Sequence, residues 1–143
     1  MEKHKKVLAK IDVRFKDIDS MGHVNNAVFL TYFEEGRKAF LRDVLNIVDP
    51  GDYPFILAHI NCDFLKPVNL GDELAVEIWI GDLGRKSFRF KYHIIDRNDK
   101  SIIYAKGESV MVLFDYRKNI TIPIPKYFLE KISEYSEQDL KLV

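Results

Sequence analysis

Residues 17–26 carry more reactive side chains than a simple connection between two elements requires. In ten positions they include two carboxylates, a glycine, a histidine and two asparagines: Asp17, Asp19, Gly22, His23, Asn25 and Asn26. A carboxylate can act as a general base or as a nucleophile. A helix that begins directly after this loop offers free backbone N–H groups to a developing negative charge. The stretch therefore predicts a site in which a loop carboxylate acts beside the N-terminus of a helix.

Each of these side chains also has a purely structural interpretation. Asp17 and Asp19 can end a strand and form a turn, and Asn25 or Asn26 can cap the helix that follows. His23 can be a group that contacts the substrate or a hydrogen-bonding support of the loop. We take Asp17 as structural, and for the other residues both interpretations stay open from composition and spacing alone.

The apolar pattern predicts which elements position this loop. A period of two predicts strands, and the spacing of three and four in Phe29, Phe33, Gly36 and Phe40 predicts a long helix. The predicted strands cover residues 7–15, 55–68, 73–83, 85–96 and 101–116; the helix ends before the turn at 49–52, and a short surface helix lies within residues 126–138. Segregated elements of this kind indicate an α+β fold, with a long antiparallel sheet wrapped around one central helix. Its edges would be exposed, so we expect a second copy of the chain to cover one.

Length and charge limit the classes of function. A chain of 143 residues without an internal repeat or linker fits a single domain over residues 1–143. Lysine plus arginine and aspartate plus glutamate both number 22, which argues against nucleic acid or an anionic membrane as a partner. No run approaches the ~20 apolar residues of a membrane span, and the first ten residues lack a secretion signal. We therefore expect a cytoplasmic protein.

Other catalytic chemistries have little support in the sequence. There is no Gly-x-Ser-x-Gly motif of a serine esterase, and Cys62 stands within a strand pattern, where packing is its expected role. The four histidines, at positions 4, 23, 59 and 93, show no spacing typical of metal ligands. We expect neither a metal nor a cofactor.

Two motifs resemble the signature of a known family. The run Arg14-Phe-x-Asp-x-Asp-x-x-Gly-His-Val-Asn-Asn26 and the run Tyr32-Phe-Glu-x-x-Arg37 resemble those of hotdog-fold acyl-CoA thioesterases, in particular the 4-hydroxybenzoyl-CoA thioesterase-like family. The resemblance covers nearly the whole chain. It implies a hotdog fold and hydrolysis of a fatty or aromatic acyl-CoA to the free acid and CoA. It also implies a homodimer or a dimer of dimers, with joined sheets and with sites that lie between subunits.

The resemblance assigns roles to individual residues. Asp19 matches the catalytic carboxylate, and Asn26 matches the residue whose backbone N–H polarises the thioester carbonyl, although the family member has tyrosine there. Arg85 and Lys86 match residues that contact the nucleotide phosphates. Gly84 replaces an arginine of that stretch, which implies a weaker or different phosphate contact.

The remaining candidates are supporting residues. Gly22, Asn25 and Glu34 support the loop and the helix, and His23 is a possible support of catalysis. His59 either lines the acyl pocket or is a hydrogen-bonded core histidine. Two other functions stay open: a noncatalytic acyl-CoA binding protein, and a hotdog dehydratase that uses a histidine and a carboxylate on a hydroxyacyl thioester.

Overall fold

The computed structural model describes residues 4–138, which form a sheet and two α-helices. Residues 1–3 and 139–143, which the single-domain prediction includes, lie outside the described residues. The elements follow in the order β1 (Val7–Asp12), α1 (Asn26–Leu45), β2 (Phe55–Phe64), β3 (Glu73–Leu83), β4 (Ser87–Asp96), β5 (Ile103–Asp115), β6 (Ile120–Thr121) and α2 (Lys126–Ile132).

The sheet is antiparallel throughout, with the strand order β1-β3-β4-β5-β2 and the short β6 beside β5. Helix α1 packs on the inner face of this curled sheet and makes contacts with β1, β3, β2 and β4. The long antiparallel sheet around one central helix is therefore confirmed. Strands β1 and β2 are the two edges, and β2 pairs only with β5 within the part of the chain that the structure describes.

Helix α1 has clear signals at both ends. Asn25 caps its N-terminus by accepting a hydrogen bond from the Ala27 N–H at 2.9 Å. Asn46 ends the helix in the left-handed conformation, with φ of 57°, which asparagine adopts more readily than most residues. Between these ends, one face of the helix is buried; it consists of Phe29, Tyr32, Phe33, Gly36, Ala39, Phe40, Leu41 and Leu45.

The helix approaches the sheet closely at Gly107 of β5. A Cβ atom at this position would lie 2.5 Å from the Phe33 ring and 2.6 Å from the Asn61 carbonyl oxygen. The Phe33 ring stacks on Tyr92, with 4.4 Å between the ring centroids. Glycine is therefore required here by the space between α1 and the sheet, because any side chain would push the helix away.

Strand β3 is covered on both faces, although its alternating apolar residues Leu74, Val76, Ile78 and Ile80 form only one of them. The outer face is buried because both ends of the described chain fold over Trp79, which is only 5% exposed. Lys6 lies 4.2 Å above the Trp79 ring, and the indole N–H donates a hydrogen bond to Glu137 at 2.6 Å.

Three predicted elements differ from the structure. Strand β1 ends at Asp12, and Phe15 begins a short 3-10 turn with its side chain 82% exposed, since the chain must bend into the loop there. Strand β2 ends at Phe64 because the Leu65 and Lys66 N–H groups both donate to the Tyr104 carbonyl, outside the regular ladder. The predicted surface helix buries Phe128 and Ile132 in the core.

Replacement of Gly107 by alanine should destabilise the protein by about 1–3 kcal/mol, because the added methyl group would overlap Phe33 and the Asn61 backbone. Urea unfolding followed by far-UV circular dichroism measures this loss. Gly51→Ala is the matched control: the atom nearest to its added methyl group is the side-chain oxygen of Asp49, at 3.3 Å, in an exposed turn. We expect the control to change stability by less than about 0.5 kcal/mol. Equal stability of both variants would contradict the role given to Gly107.

Candidate active site

The loop before α1 is a tight hairpin with Asp19 at its base. Ile18 pairs with Val24, and the Asp19 N–H donates to the His23 carbonyl at 2.8 Å. The Gly22 N–H donates back to the Asp19 carbonyl at 3.1 Å, and Gly22 has a φ of 84°. A left-handed residue at this point favours glycine, so Gly22 supports the shape of the loop.

Asp17 fixes this hairpin to the helix. Its side chain is almost fully buried and accepts hydrogen bonds from the Arg14 N–H and the Tyr32 hydroxyl, both at 2.9 Å. Its carbonyl accepts from the Asn25 N–H at 2.8 Å. Burial, together with the bond to Asp17, raises the pKa of Tyr32, so the hydroxyl stays protonated and donates. These contacts agree with the structural role predicted for Asp17.

Asp19, in contrast, faces a cavity. One of its oxygens, Oδ1, accepts from the Met21 N–H at 2.9 Å and from the His23 N–H at 3.4 Å. No residue among those described donates a hydrogen bond to Oδ2, so this oxygen can receive a water molecule or a substrate. The cavity has a volume of about 310 Å³ and is also lined by Asn26, Phe29, Phe64 and Lys66.

The N-terminus of α1 forms another wall of this cavity. Asn25 is the cap, and Asn26 is the first helical residue. The Asn26 N–H has no acceptor within residues 4–138, because the first N–H groups of a helix have no partner in the helix itself. Asp19, which has one open oxygen, and Asn26, which has a free helix N–H, therefore line the same cavity, together with His23. This is the arrangement that attack on a carbonyl carbon requires.

Asn26 and Phe64 also line a second space, which is a shallow apolar groove of about 330 Å³. This groove runs along Leu30, Ile60 and Cys62. Burial, with a smaller effect of the Asp63 charge, raises the pKa of the Cys62 thiol to about 11. Cys62 is therefore a thiol at neutral pH and lines the groove, as the packing role predicted for it requires.

His59 is not a core histidine, and it does not face the helix. A β-bulge between Leu57 and His59 shifts the register, so that Leu57 pairs with Met111 whereas His59 pairs with Val110. The extra residue turns His59 to the outer face of the sheet, where it is exposed. His59 thus lies on the opposite face of the sheet from Ile60 and Cys62, and its interpretation as a core histidine is wrong, whereas a contact with the acyl group stays a prediction.

The other candidates from the sequence lie away from the loop cavity. Glu34 is on an exposed part of α1, and its Oε2 lies 3.9 Å from Arg37 Nη2, so it pairs within the helix. Arg85 and Lys86 lie in the turn before β4, where the Lys86 carbonyl accepts from the Leu113 N–H at 2.8 Å.

Arg85 and Lys86 are thus at the opposite end of the sheet from Asp19. Leu113 pairs with Phe55 at the start of β2, whereas the Asp19 cavity contains Phe64 at its end. The ten residues of β2 separate these ends by roughly 30 Å. One chain alone therefore does not bring Arg85 and Lys86 to the Asp19 cavity.

Sequence reasoning did not single out Phe64 and Lys66, which are among the residues that line the cavity. Phe64 and Lys66 precede Pro67, and this strand end was treated as a simple termination. The loop reaches them because the Val24 N–H donates to the Val68 carbonyl at 2.9 Å.

Residues 4–138 contain neither a candidate metal site nor a candidate membrane-spanning helix. No group of three His, Cys, Asp or Glu side chains is arranged to hold a metal ion. No helix is both long enough and apolar enough to cross a bilayer.

Comparison with known proteins identifies the family. Residues 13–132 match the profile of the Thioesterase-like superfamily. The chain is 28% identical over 134 residues to the chloroplastic acyl-acyl carrier protein thioesterase ATL3 of Arabidopsis thaliana, covering 91% of this chain and 69% of ATL3. It is 27% identical over 118 residues to the 1,4-dihydroxy-2-naphthoyl-CoA hydrolase of Synechocystis, covering 79% of this chain and 86% of that enzyme.

A solved structure supports the same assignment. A thioesterase of Thermus thermophilus, crystallised with coenzyme A and Zn, superposes with a TM-score of 0.77 at 32% identity, covering 90% of this chain and 98% of that one. The resemblance inferred from the two motifs is thereby confirmed: the chain belongs to the Thioesterase-like superfamily.

Proposed function

We propose that this protein hydrolyses the thioester of a fatty or aromatic acyl-CoA to the free acid and CoA. The observation that carries the proposal is that Asp19 and Asn26, the first residue of α1, line one cavity. The names of the relatives support both CoA and acyl carrier protein as the thiol component, and both carry the same thioester chemistry.

In this proposal the thioester carbonyl oxygen accepts a hydrogen bond from the Asn26 N–H. The positive end of the α1 dipole then stabilises the negative charge that develops on this oxygen. Asp19 Oδ2 either takes a proton from an attacking water or attacks the carbonyl carbon itself to form an anhydride that water then cleaves. The bond that breaks is carbon–sulfur, and the thiolate leaves without a strong general acid, since a thiol has a pKa of about 8.5.

The two cavities at Asn26 suggest how the substrate lies. The apolar groove along Leu30, Ile60 and Cys62 suits the acyl group, and the more polar cavity beside Asp19 and Lys66 suits the pantetheine arm. The thioester would then lie at Asn26, which both cavities share.

We further propose that two chains pair through their β2 strands. This edge carries half-exposed apolar side chains on its inner face, with Leu57 44% and Phe64 47% exposed, which a second copy would cover. A two-fold axis across β2 places the start of one β2 beside the end of the other. It would therefore bring Arg85 and Lys86 of one chain toward the Asp19 cavity of its partner. This pairing would permit the phosphate contact predicted for Arg85 and Lys86, which a single chain cannot make at the Asp19 cavity.

The charge of Asp19 can be tested by a single substitution. Asp19→Asn keeps an oxygen that can accept from the Met21 N–H, so the turn should remain, but it removes the base or nucleophile. We expect release of free thiol from a panel of short, long and aromatic acyl-CoA esters to fall roughly 100-fold or more. The matched control is Asp63→Asn on the outer face of β2, which should keep its rate within about twofold.

Three results would contradict the proposal. An Asp19→Asn variant as active as the natural protein would place the chemistry elsewhere. Saturable binding of acyl-CoA without turnover by the natural protein would indicate a binding module. Formation of an enoyl thioester without free thiol would indicate a dehydratase.

A mixture of two variants tests whether the site is shared between chains. Asp19→Asn subunits and Arg85→Ala/Lys86→Ala subunits should each be weakly active as homodimers. After mixing and subunit exchange, half of the dimers would be mixed, and each mixed dimer would contain one intact site, so we expect about a quarter of the natural activity. Activity that stays at the mean of the two parents, with exchange verified by native mass spectrometry, would contradict shared sites.

A further inference from the structure

A third cavity lies between the later turns of α1 and the start of β2, about 280 Å³ in volume. Its apolar walls are formed by Leu41, Pro50, Tyr53, Phe55, Leu57 and Met111, and Glu34 and Lys38 line it as well. Arg37 also lines it, and only 12% of the Arg37 side chain is exposed. We call this space the Arg37 cavity. A guanidinium that is largely buried needs a partner, because burial of an unpaired charge is unfavourable.

Within the described residues, Arg37 makes one hydrogen bond and one long ion pair. Nη1 donates to the Tyr92 hydroxyl at 3.2 Å. The nearest carboxylate oxygen, Glu34 Oε2, is 3.9 Å from Nη2, beyond hydrogen-bonding distance, on a side chain that is 56% exposed. Burial raises the pKa of Tyr92, so this hydroxyl is neutral and cannot act as the counterion.

The polar groups behind Arg37 hold it in place. The Tyr92 hydroxyl accepts from Arg37 and shares a hydrogen bond with the fully buried Ser109, whose hydroxyl lies 3.5 Å from the Met111 sulfur. This series of contacts leads from the guanidinium through the core to Met111, which lines the Arg37 cavity. A guanidinium fixed on one side, with spare N–H donors on the other, is suited to bind a carboxylate or another oxygen acceptor.

The position of the Arg37 cavity relates it to the proposed reaction. It lies at the Phe55 end of β2, whereas the apolar groove beside Asn26 lies at the Phe64 end. Pairing of two β2 strands about a two-fold axis would place the Arg37 cavity of one chain beside the groove of the other. An acyl group that leaves the groove would enter the Arg37 cavity of the partner, which has space for roughly nine water-sized groups.

We propose that Arg37 binds an oxygen acceptor at the far end of the acyl group, so that the preferred substrates are apolar along their length and end in a carboxylate or hydroxyl. This inference rests on the thioesterase function and on the β2 pairing proposed above. It makes Arg37 a residue that determines specificity, distinct from the groups at the thioester.

The test compares matched substrates that differ only at the far end, from hexanoyl-CoA and adipyl-CoA to dodecanoyl-CoA and dodecanedioyl-CoA. At one chain length or more, we expect the natural protein to favour the dicarboxylic substrate in kcat/KM by about tenfold or more, as a charged hydrogen bond would give. Arg37→Gln should abolish this preference and keep the rate on the monocarboxylic ester. The absence of any preference in the natural protein would overturn the inference, as would a preference that Arg37→Gln leaves intact.

Two further variants separate recognition from a structural role. Glu34→Gln removes the competing carboxylate and should increase the preference, whereas loss of a purely structural ion pair would leave it unchanged. Arg37→Lys keeps the positive charge but lacks the planar guanidinium with its paired N–H donors, so it should retain part of the preference. If Arg37→Gln does not fold, these two variants still decide the question: an unchanged ratio in both overturns the inference.

Binding measurements distinguish failure of this inference from failure of the proposed function. CoA thioethers with and without a terminal carboxylate cannot be hydrolysed, and calorimetry measures their affinity directly. A tighter carboxylate thioether that loses its advantage in Arg37→Gln would support Arg37 even if no thioester is turned over. Equal affinity of the two thioethers would overturn the inference even if hydrolysis is observed.

Discussion

The buried carboxylate of Asp17 determines where the candidate site can form. It binds the Tyr32 hydroxyl on α1 and the Arg14 backbone before the loop, so strand, loop and helix meet at one group. Because these elements are fixed to each other, Asp19 and Asn26 line the same cavity. Asp17, whose role is structural, thus positions Asp19, which we propose to be catalytic. Tight placement of this kind is what an oxyanion site needs.

Helix α1 carries both polar features used in the proposals, at different points along its length. Asn26 begins the helix, and Arg37 follows eleven residues later, about 16 Å along the axis. Close packing at Gly107 holds the helix against the sheet between these two points. In a symmetric pair, the first turn of one α1 and the later turns of the other would contact the same substrate. Catalysis and choice of substrate would then depend on the same helix in two different subunits.

The sequence predicted the fold more completely than the site. Periodicity identified α1 and the strands because their burial is regular, and the motif identified Asp19 and Asn26 because they are close in sequence. Sequence reasoning failed where a local irregularity changes the direction of a side chain, as at the β-bulge that turns His59 to the outer face of the sheet. It also could not indicate that Arg85 and Lys86 lie far from Asp19 within one chain, because a residue-by-residue match contains no distances.

Cys62 has a practical consequence for study of this protein. It is the only cysteine in the chain, and it lies in the apolar groove beside Asn26. A fluorescent maleimide would therefore attach at a single place without any engineered substitution. The high pKa of the thiol means that labelling must be slow or carried out at alkaline pH. Once attached, the dye would sense the polarity of the groove, and its emission would report when a ligand enters.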